Sequence, residues 1–146
     1  MNNDLMFSSN KDDWETPQTF FDELDKEFNF TLDAAATEEN SKCRLYLWDA
    51  FKGDWKGSVF CNPPYGKMTG KFIERGYSEF IKKNCSLLVF LVPARTDTKW
   101  FHEYCYCPNT KHTPEIRFLK GRLKFEINGA PCKHAAPFPS MLVIYR

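Results

Sequence analysis

No apolar run in this chain approaches the 18 or more residues that a membrane-spanning helix needs; the longest strong one is Leu87–Val92. Met1–Asp13 is polar and acidic and has no apolar core of the kind a secretory signal carries, which argues for a cytosolic or nuclear setting. The six cysteines include no Cys-x-x-Cys pair, and without an export signal they read as free thiols and not as a disulfide framework. Cys105-x-Cys107 with His112, followed by Cys132-x-His134, is too irregular a set to read as a zinc site, so no metal is expected. Internal repeats and low-complexity tracts are also missing. So is a strong net charge, which stands at +1.

The length of 146 residues suits one domain, and at that size roughly two-thirds of the unfolded chain's surface can be buried. Hydrophobic residues make up 42% of the chain and 14 residues are Phe, a globular composition and not a disordered one. The near-zero charge conceals an asymmetry. Residues 1–54 carry 13 acidic and 5 basic side chains, whereas residues 55–146 carry 6 acidic and 15 basic ones. A basic half of this kind points to a polyanionic partner, or to charges that merely solvate helix faces.

Periodicity predicts alternating helices and strands in a single domain over residues 14–146, preceded by a flexible tail over 1–13. Thr16 and Pro17 suit the cap and first position of a helix whose apolar stripe is Phe20, Phe21, Leu24 and Phe28. Phe28–Asp33 alternates as a short strand, and Ala34–Ala36 with Thr37–Leu45 suggests a tight turn into a second helix. Ser58–Cys61 reads as a strand, Lys67–Lys83 as a helix, and Ser86–Val92 as a central strand apolar on both faces. Asp97–Tyr104 reads as a helix. Glu115–Leu119, Arg122–Ile127 and Ser140–Tyr145 read as strands, the first two joined at Lys120-Gly121. The fold class predicted is α/β, with an antiparallel C-terminal edge to the sheet.

Chemistry concentrates at Asn62-Pro63-Pro64-Tyr65, directly after a buried strand. Two prolines fix their φ angles and supply no N–H, so the turn is rigid and rich in acceptors. An acceptor amide followed by an aromatic ring suits a flat ring bearing an amino group, and ligands in open α/β sheets bind beyond the carboxyl ends of strands. An ordinary Pro-rich turn is the competing reading. Arg117, Lys120, Arg122 and Lys124 place four cations in eight positions, and Lys67 and Lys71 follow the Pro-Pro turn. These could grip a phosphate backbone, or could guard an edge strand. On a strand, Arg122 and Lys124 would share a face. Arg95, with Thr96 and Asp97, lies just past the central strand's carboxyl end, as a site wall or a helix cap.

Asn62-Pro-Pro-Tyr65 resembles the catalytic motif of S-adenosylmethionine-dependent amino-methyltransferases. The wider chain resembles the phage-type Dam family of DNA adenine N-6 methyltransferases. The matching segments run in order over about 14–145. They are Trp14–Pro17, Phe30–Ala36, Asn40–Cys43, Cys61–Gly66, Val92–His102, Ile116–Phe125 and Ala136–Ser140. The resemblance implies a compact Rossmann-like methyltransferase fold, a central mostly parallel sheet flanked by helices. It implies S-adenosylmethionine as cofactor and double-stranded DNA as partner, with a flipped-out adenine as the methyl acceptor. Asn62, Pro63, Pro64 and Tyr65 would then be catalytic. Thr16, Pro17, Asp33, Ala34 and Asp49 would hold the cofactor, with Asp54 a rival to Asp49 and a helix cap the alternative for Asp33.

The chain departs from larger methyltransferases in two ways. Ala34-Ala35-Ala36 stands where a Gly-x-Gly loop is usual, and the 29 positions from Asp33 to Asn62 leave scarcely any room for a further strand whose acidic end holds the ribose. Asp33, Glu38 or Asn40 could serve instead. RNA adenine or a protein glutamine as acceptor, and a non-catalytic DNA-binding module of the same fold, are alternatives. A homodimer would cover more DNA.

Overall fold

Leu88–Pro93 are six consecutive buried residues, and a strand buried on both faces must lie in the middle of a layered structure. The computed structural model describes residues 14–106 and 112–146; the expected tail over 1–13 and the Cys107 thiol lie outside the described residues. Among the described residues, eight strands follow one another as β1 (Leu32–Asp33), β2 (Leu45–Tyr46), β3 (Gly57–Cys61), β4 (Cys85–Pro93), β5 (Glu115–Phe118), β6 (Glu126–Ile127), β7 (Ala130–Pro131) and β8 (Ser140–Tyr145). The helices are α1 (Gln18–Phe28) and α2 (Thr69–Ile81), with a short π-helical segment over Phe101–Cys105.

Six strands form one sheet in the order β2-β1-β3-β4-β8-β5. β2, β1, β3 and β4 run parallel, while β8 is antiparallel to both of its neighbours. Alternation along β4 and β8 sends their side chains into two cores. Leu88, Phe90, Val92, Met141, Val143 and Tyr145 pack with α2 and the π segment. Val89, Leu91, Leu142 and Ile144 pack with Phe21, Leu24 and Phe28 of α1. This is the expected α/β class, a mostly parallel sheet with helices on both faces and an antiparallel C-terminal edge. No helix among the described residues is long and apolar enough to cross a membrane.

Four local expectations are corrected. The helix expected over residues 37–45 does not form: residues 38–40 and 42–44 make turns and bends, and Leu45 already belongs to β2, which pairs in parallel with β1. The short interval before Asn62 therefore does hold a further strand, reduced to two residues. Thr16 does not cap α1; Pro17 precedes the helix, and the Gln18 N–H is taken by the Glu126 carboxylate at 3.1 Å. Residues 122–125 are not a strand, so Arg122 and Lys124 share no strand face. β5 also forms no hairpin with β6. β5 pairs with β8, and β6 pairs with β7 in a separate two-stranded ribbon.

α2 lies unusually close to the sheet at Gly76. A Cβ there would stand 2.5 Å from Phe90 Cζ, 2.7 Å from Trp55 Cζ3 and 3.0 Å from Leu88 Cδ2. All three side chains are fully buried and cannot step aside. Ala in place of Gly gains about 1 kcal/mol of helix propensity, whereas overpacking a dense core costs about 1–3 kcal/mol. Gly76→Ala should therefore lower stability by roughly 1 kcal/mol, read as a lower urea midpoint with an unchanged slope; a raised midpoint would show that α2 can lift off the sheet freely.

Candidate active site

β1 ends at Asp33, whose side chain is only 4% exposed. Its two carboxylate oxygens organise the loop that follows, accepting from Ala35 N at 3.3 Å and Lys42 N at 2.9 Å. The same loop is tied down by Ala34 N to Phe60 O and by Ala36 N to Leu47 O. The three alanines thus turn close to the sheet without any positive φ, which is how a Gly-free loop fits here. Asp33 is not a helix cap, because no helix follows it. Burial pushes its pKa up to about 6, against the partial opposition of its two N–H donors.

β3 ends at Cys61 and delivers Asn62, Pro63, Pro64 and Tyr65 beside this loop. The turn is closed by the Thr69 hydroxyl, which donates to Pro64 O at 2.9 Å, and by Gly66 at φ +114°. Asn62 Nδ2 donates to Trp14 O at 2.6 Å and to Thr16 Oγ1 at 3.0 Å. A carbonyl oxygen can only accept, so the amide nitrogen must face the Trp14–Thr16 strap and Oδ1 must face away from it. That Oδ1 is buried and has no hydrogen-bond partner among the described residues. Leaving such an acceptor unmatched costs about 1–3 kcal/mol, a penalty that an incoming N–H donor would remove.

Two cavities flank the motif. The first, about 280 Å³, is bounded by Thr16, Asp33, Ala35, Asn40, Asn62 and Pro64, with Glu15 adding a second carboxylate and Trp48 and Phe72 adding apolar walls. The second, about 510 Å³, is bounded by Tyr65, Gly66, Thr69, Arg95, Trp100 and Phe138. Trp14 lines both. Its ring packs edge-on against Phe125 and Phe138, which also meet the Tyr65 ring edge-on. Tyr65 donates its hydroxyl to Leu91 O at 3.2 Å, and burial holds its pKa well above the usual phenol range, so it stays neutral.

The other expected site residues separate into groups. Thr16 is buried and lines the first cavity, while Pro17 and Ala34 support the loops without lining it. Asp49 lies one residue from the lining residues Trp48 and Ala50, but its Oδ1 accepts from Phe51 N at 2.9 Å. Asp54 is exposed and pairs with Lys56. Of the ribose candidates, Asp33 and Asn40 line the cavity, and Glu38 is exposed in a turn outside it.

Among the cations, Arg95 reaches the second cavity, and Lys67, Lys71, Lys120 and Lys124 are exposed. Arg122 is also exposed and bonds Ala136 O at 3.4 Å, beside the Pro137-Phe138 wall. Arg117 is the correction. It makes two 2.7 Å bonds to Glu27 and one of 2.6 Å to Glu115, so its charge is committed to pinning α1 against β5. Cys105 belongs to the core under α2 and Cys132 to the opposite one, so the sheet separates two members of the Cys/His set.

Sequence reasoning missed the residues that act at long range. Glu15 and Glu126 are joined by a backbone bridge, and the Glu15 carboxylate accepts from Asn128 N and Gly129 N. Lys42 Nζ bonds Gln18 Oε1 at 2.9 Å and lies 3.9 Å from Glu126. No local pattern announces contacts between 24 and 114 residues apart. The one usable signal is an aromatic, Trp14, two positions before Thr16-Pro17.

The comparisons with known proteins agree with this geometry. The family model for DNA N-6-adenine-methyltransferase (Dam) matches residues 5–146. The DNA N-6-adenine-methyltransferase of Escherichia phage T1 is 28% identical over 125 residues, covering 82% of this chain and 49% of the relative. The chain thus spans about half the length of that curated relative. With a match over nearly the whole chain, and with an Asn-Pro-Pro-Tyr turn set between two cavities at the strand ends, the chain belongs to the Dam family of DNA N-6-adenine-methyltransferases.

Proposed function

We propose that this chain transfers a methyl group from S-adenosylmethionine to the N-6 amino group of an adenine turned out of double-stranded DNA. The observation that carries the reading is Asn62 Oδ1, a buried, unpartnered acceptor held in a fixed orientation at the strand ends. The Dam family match supplies the reaction class.

The first cavity fits the cofactor. Asp33 and Glu15 offer carboxylates to its cationic groups, Asn40 offers polar contacts, and Trp48 and Phe72 flank a space suited to a flat ring. Bound there, S-adenosylmethionine supplies an electrophilic methyl group on a positively charged sulfur. Asn62 Oδ1 accepts an N–H from the adenine amine, which draws that nitrogen out of conjugation with its ring and directs its lone pair. The nitrogen becomes acidic only after it gains the methyl group, so no strong protein base is required beforehand and positioning dominates. The second cavity, walled by neutral Tyr65, Trp100 and Phe138, would take the flipped base and offset part of its unstacking cost. Arg95, Lys67, Lys71, Lys120, Arg122 and Lys124 would meet phosphates.

The decisive experiment supplies radiolabelled cofactor with duplex DNA, RNA or protein as acceptors. Label should appear as N-6-methyladenine in DNA, and Asn62→Ala should reduce the rate by about 10²–10³, the usual loss when one preorganised polar contact to the reacting group is removed. Full activity in that variant would overturn the site; label in RNA or protein alone would overturn the substrate.

Asp33 generates a pH signature. Its folded-state pKa of about 6 lies above its unfolded value near 3.8. The stability it contributes is therefore present below pH 3.8 and lost as pH rises through 6, so the ionised carboxylate is a local cost at neutral pH. A cationic ligand reverses that preference. Cofactor affinity should fall by up to tenfold per pH unit below 6 and level off above 7, measured by calorimetry. Asp33→Asn should bind weakly with a flat profile; an unchanged slope in that variant would place the titration elsewhere.

A further inference from the structure

Thr16 is 3% exposed, lines the first cavity, and accepts from Asn62 Nδ2 at 3.0 Å. A hydroxyl has one proton to donate as well as two lone pairs, and no protein acceptor takes that proton among the described residues. An almost fully buried hydroxyl with an unspent donor at a cavity wall is placed to bond whatever acceptor atom occupies the cavity. Hydrogen bonds in series polarise one another. When the Thr16 O–H donates, its oxygen becomes a stronger acceptor for Asn62 Nδ2. An amide whose nitrogen donates more strongly carries more negative charge on its oxygen.

We propose that Thr16 is a positioning residue that couples the two halves of the site. Occupation of the first cavity is transmitted through Thr16 Oγ1 and Asn62 Nδ2 to Oδ1, which then holds an incoming amino group more tightly. The cofactor and the target base therefore bind with positive cooperativity. This rests on the methyl-transfer reading of the site, but the hydrogen-bond relay itself is testable without turnover. Trp14 O provides the second anchor at 2.6 Å, so loss of the Thr16 bond leaves the amide held but no longer linked to the first cavity.

The test uses protein labelled with ¹⁵N at asparagine and titrated with S-adenosylhomocysteine, which occupies the cofactor site without reacting. In the wild-type chain the Asn62 carboxamide signals should shift, and their protons should exchange more slowly with solvent, as the ligand saturates. In Thr16→Val, which keeps the shape and removes the hydroxyl, the Asn62 signals should stay near their ligand-free positions. Thr16→Ser should restore the shift. Duplex DNA should bind several-fold tighter in the presence of S-adenosylhomocysteine for the wild type and the Ser variant, and less than twofold tighter for the Val variant. By linkage the same factor should appear in the affinity for S-adenosylhomocysteine when DNA is added first. A Val variant that folds with a wild-type amide spectrum and keeps the full coupling would overturn the proposal, as would a wild-type Asn62 signal that ignores the ligand. Failure of the methyl-transfer reading looks different: the Asn62 signals respond to S-adenosylhomocysteine through Thr16, yet no adenine in DNA is methylated.

Discussion

The two hydrogen bonds from Asn62 Nδ2 to the Trp14–Thr16 strap are the constraint on which the site depends. They decide which end of a nearly symmetric amide points where, and so create an acceptor with nothing to accept from. A Pro-Pro turn alone would restrict the backbone at residues 63 and 64 and leave the amide of residue 62 free to flip. The rigidity of the turn and the orientation of the side chain thus come from different parts of the chain, 48 residues apart in the case of Trp14.

The strap can do this only because it is itself held. Glu15 exchanges both backbone bonds with Glu126, its carboxylate caps the β6–β7 turn, and the Glu126 carboxylate in turn caps α1 at Gln18. Trp14 is wedged among Phe125 and Phe138. A small ribbon far along the chain therefore acts as a clamp on its start, and it explains why residues 122–138 fold against the site and not into the main sheet. Acidic side chains do much of this work through backbone N–H groups, which accounts for part of the acidic excess in the first 54 residues without invoking a partner.

Strands β3, β4 and β8 and both long helices are legible in the sequence because each buries a periodic apolar pattern, and periodicity is a local property. The Asn62–Tyr65 turn is legible for the same reason, since prolines restrict their own backbone. β2 is not, because Leu45 and Tyr46 are exposed and their strand is defined by pairing with β1 alone. The helix-cap reading of Thr16 and the phosphate-contact reading of Arg117 meet a common obstacle. Each has a plausible local use, helix cap or phosphate contact, and each is claimed by a partner distant in sequence, Asn62 for one and Glu27 for the other. The helix expected over residues 37–45 fails because the Asp33 carboxylate takes the Lys42 N–H that such a helix would need for itself.

Two buried polar groups at the site are held at a cost, whereas the rest of the interior is largely matched. Glu79, equally buried, receives Trp55 N at 3.0 Å and Asn84 Nδ2 at 3.3 Å and lies 3.9 Å from Arg75. Ser140 Oγ is the other unpartnered buried oxygen among the described residues, but it lines neither cavity. Asp33, with its pKa pushed to about 6, and Asn62 Oδ1 both sit where a ligand could relieve them, one by bringing positive charge and the other by bringing an N–H. The two costs select different partners: a cation relieves the carboxylate, whereas a neutral amide oxygen without a hydrogen-bond partner among the described residues is relieved by an N–H donor. Both groups line the first cavity beside the Trp14–Thr16 strap, and the proposed transfer from a cationic donor to an amine acceptor would relieve one with each partner.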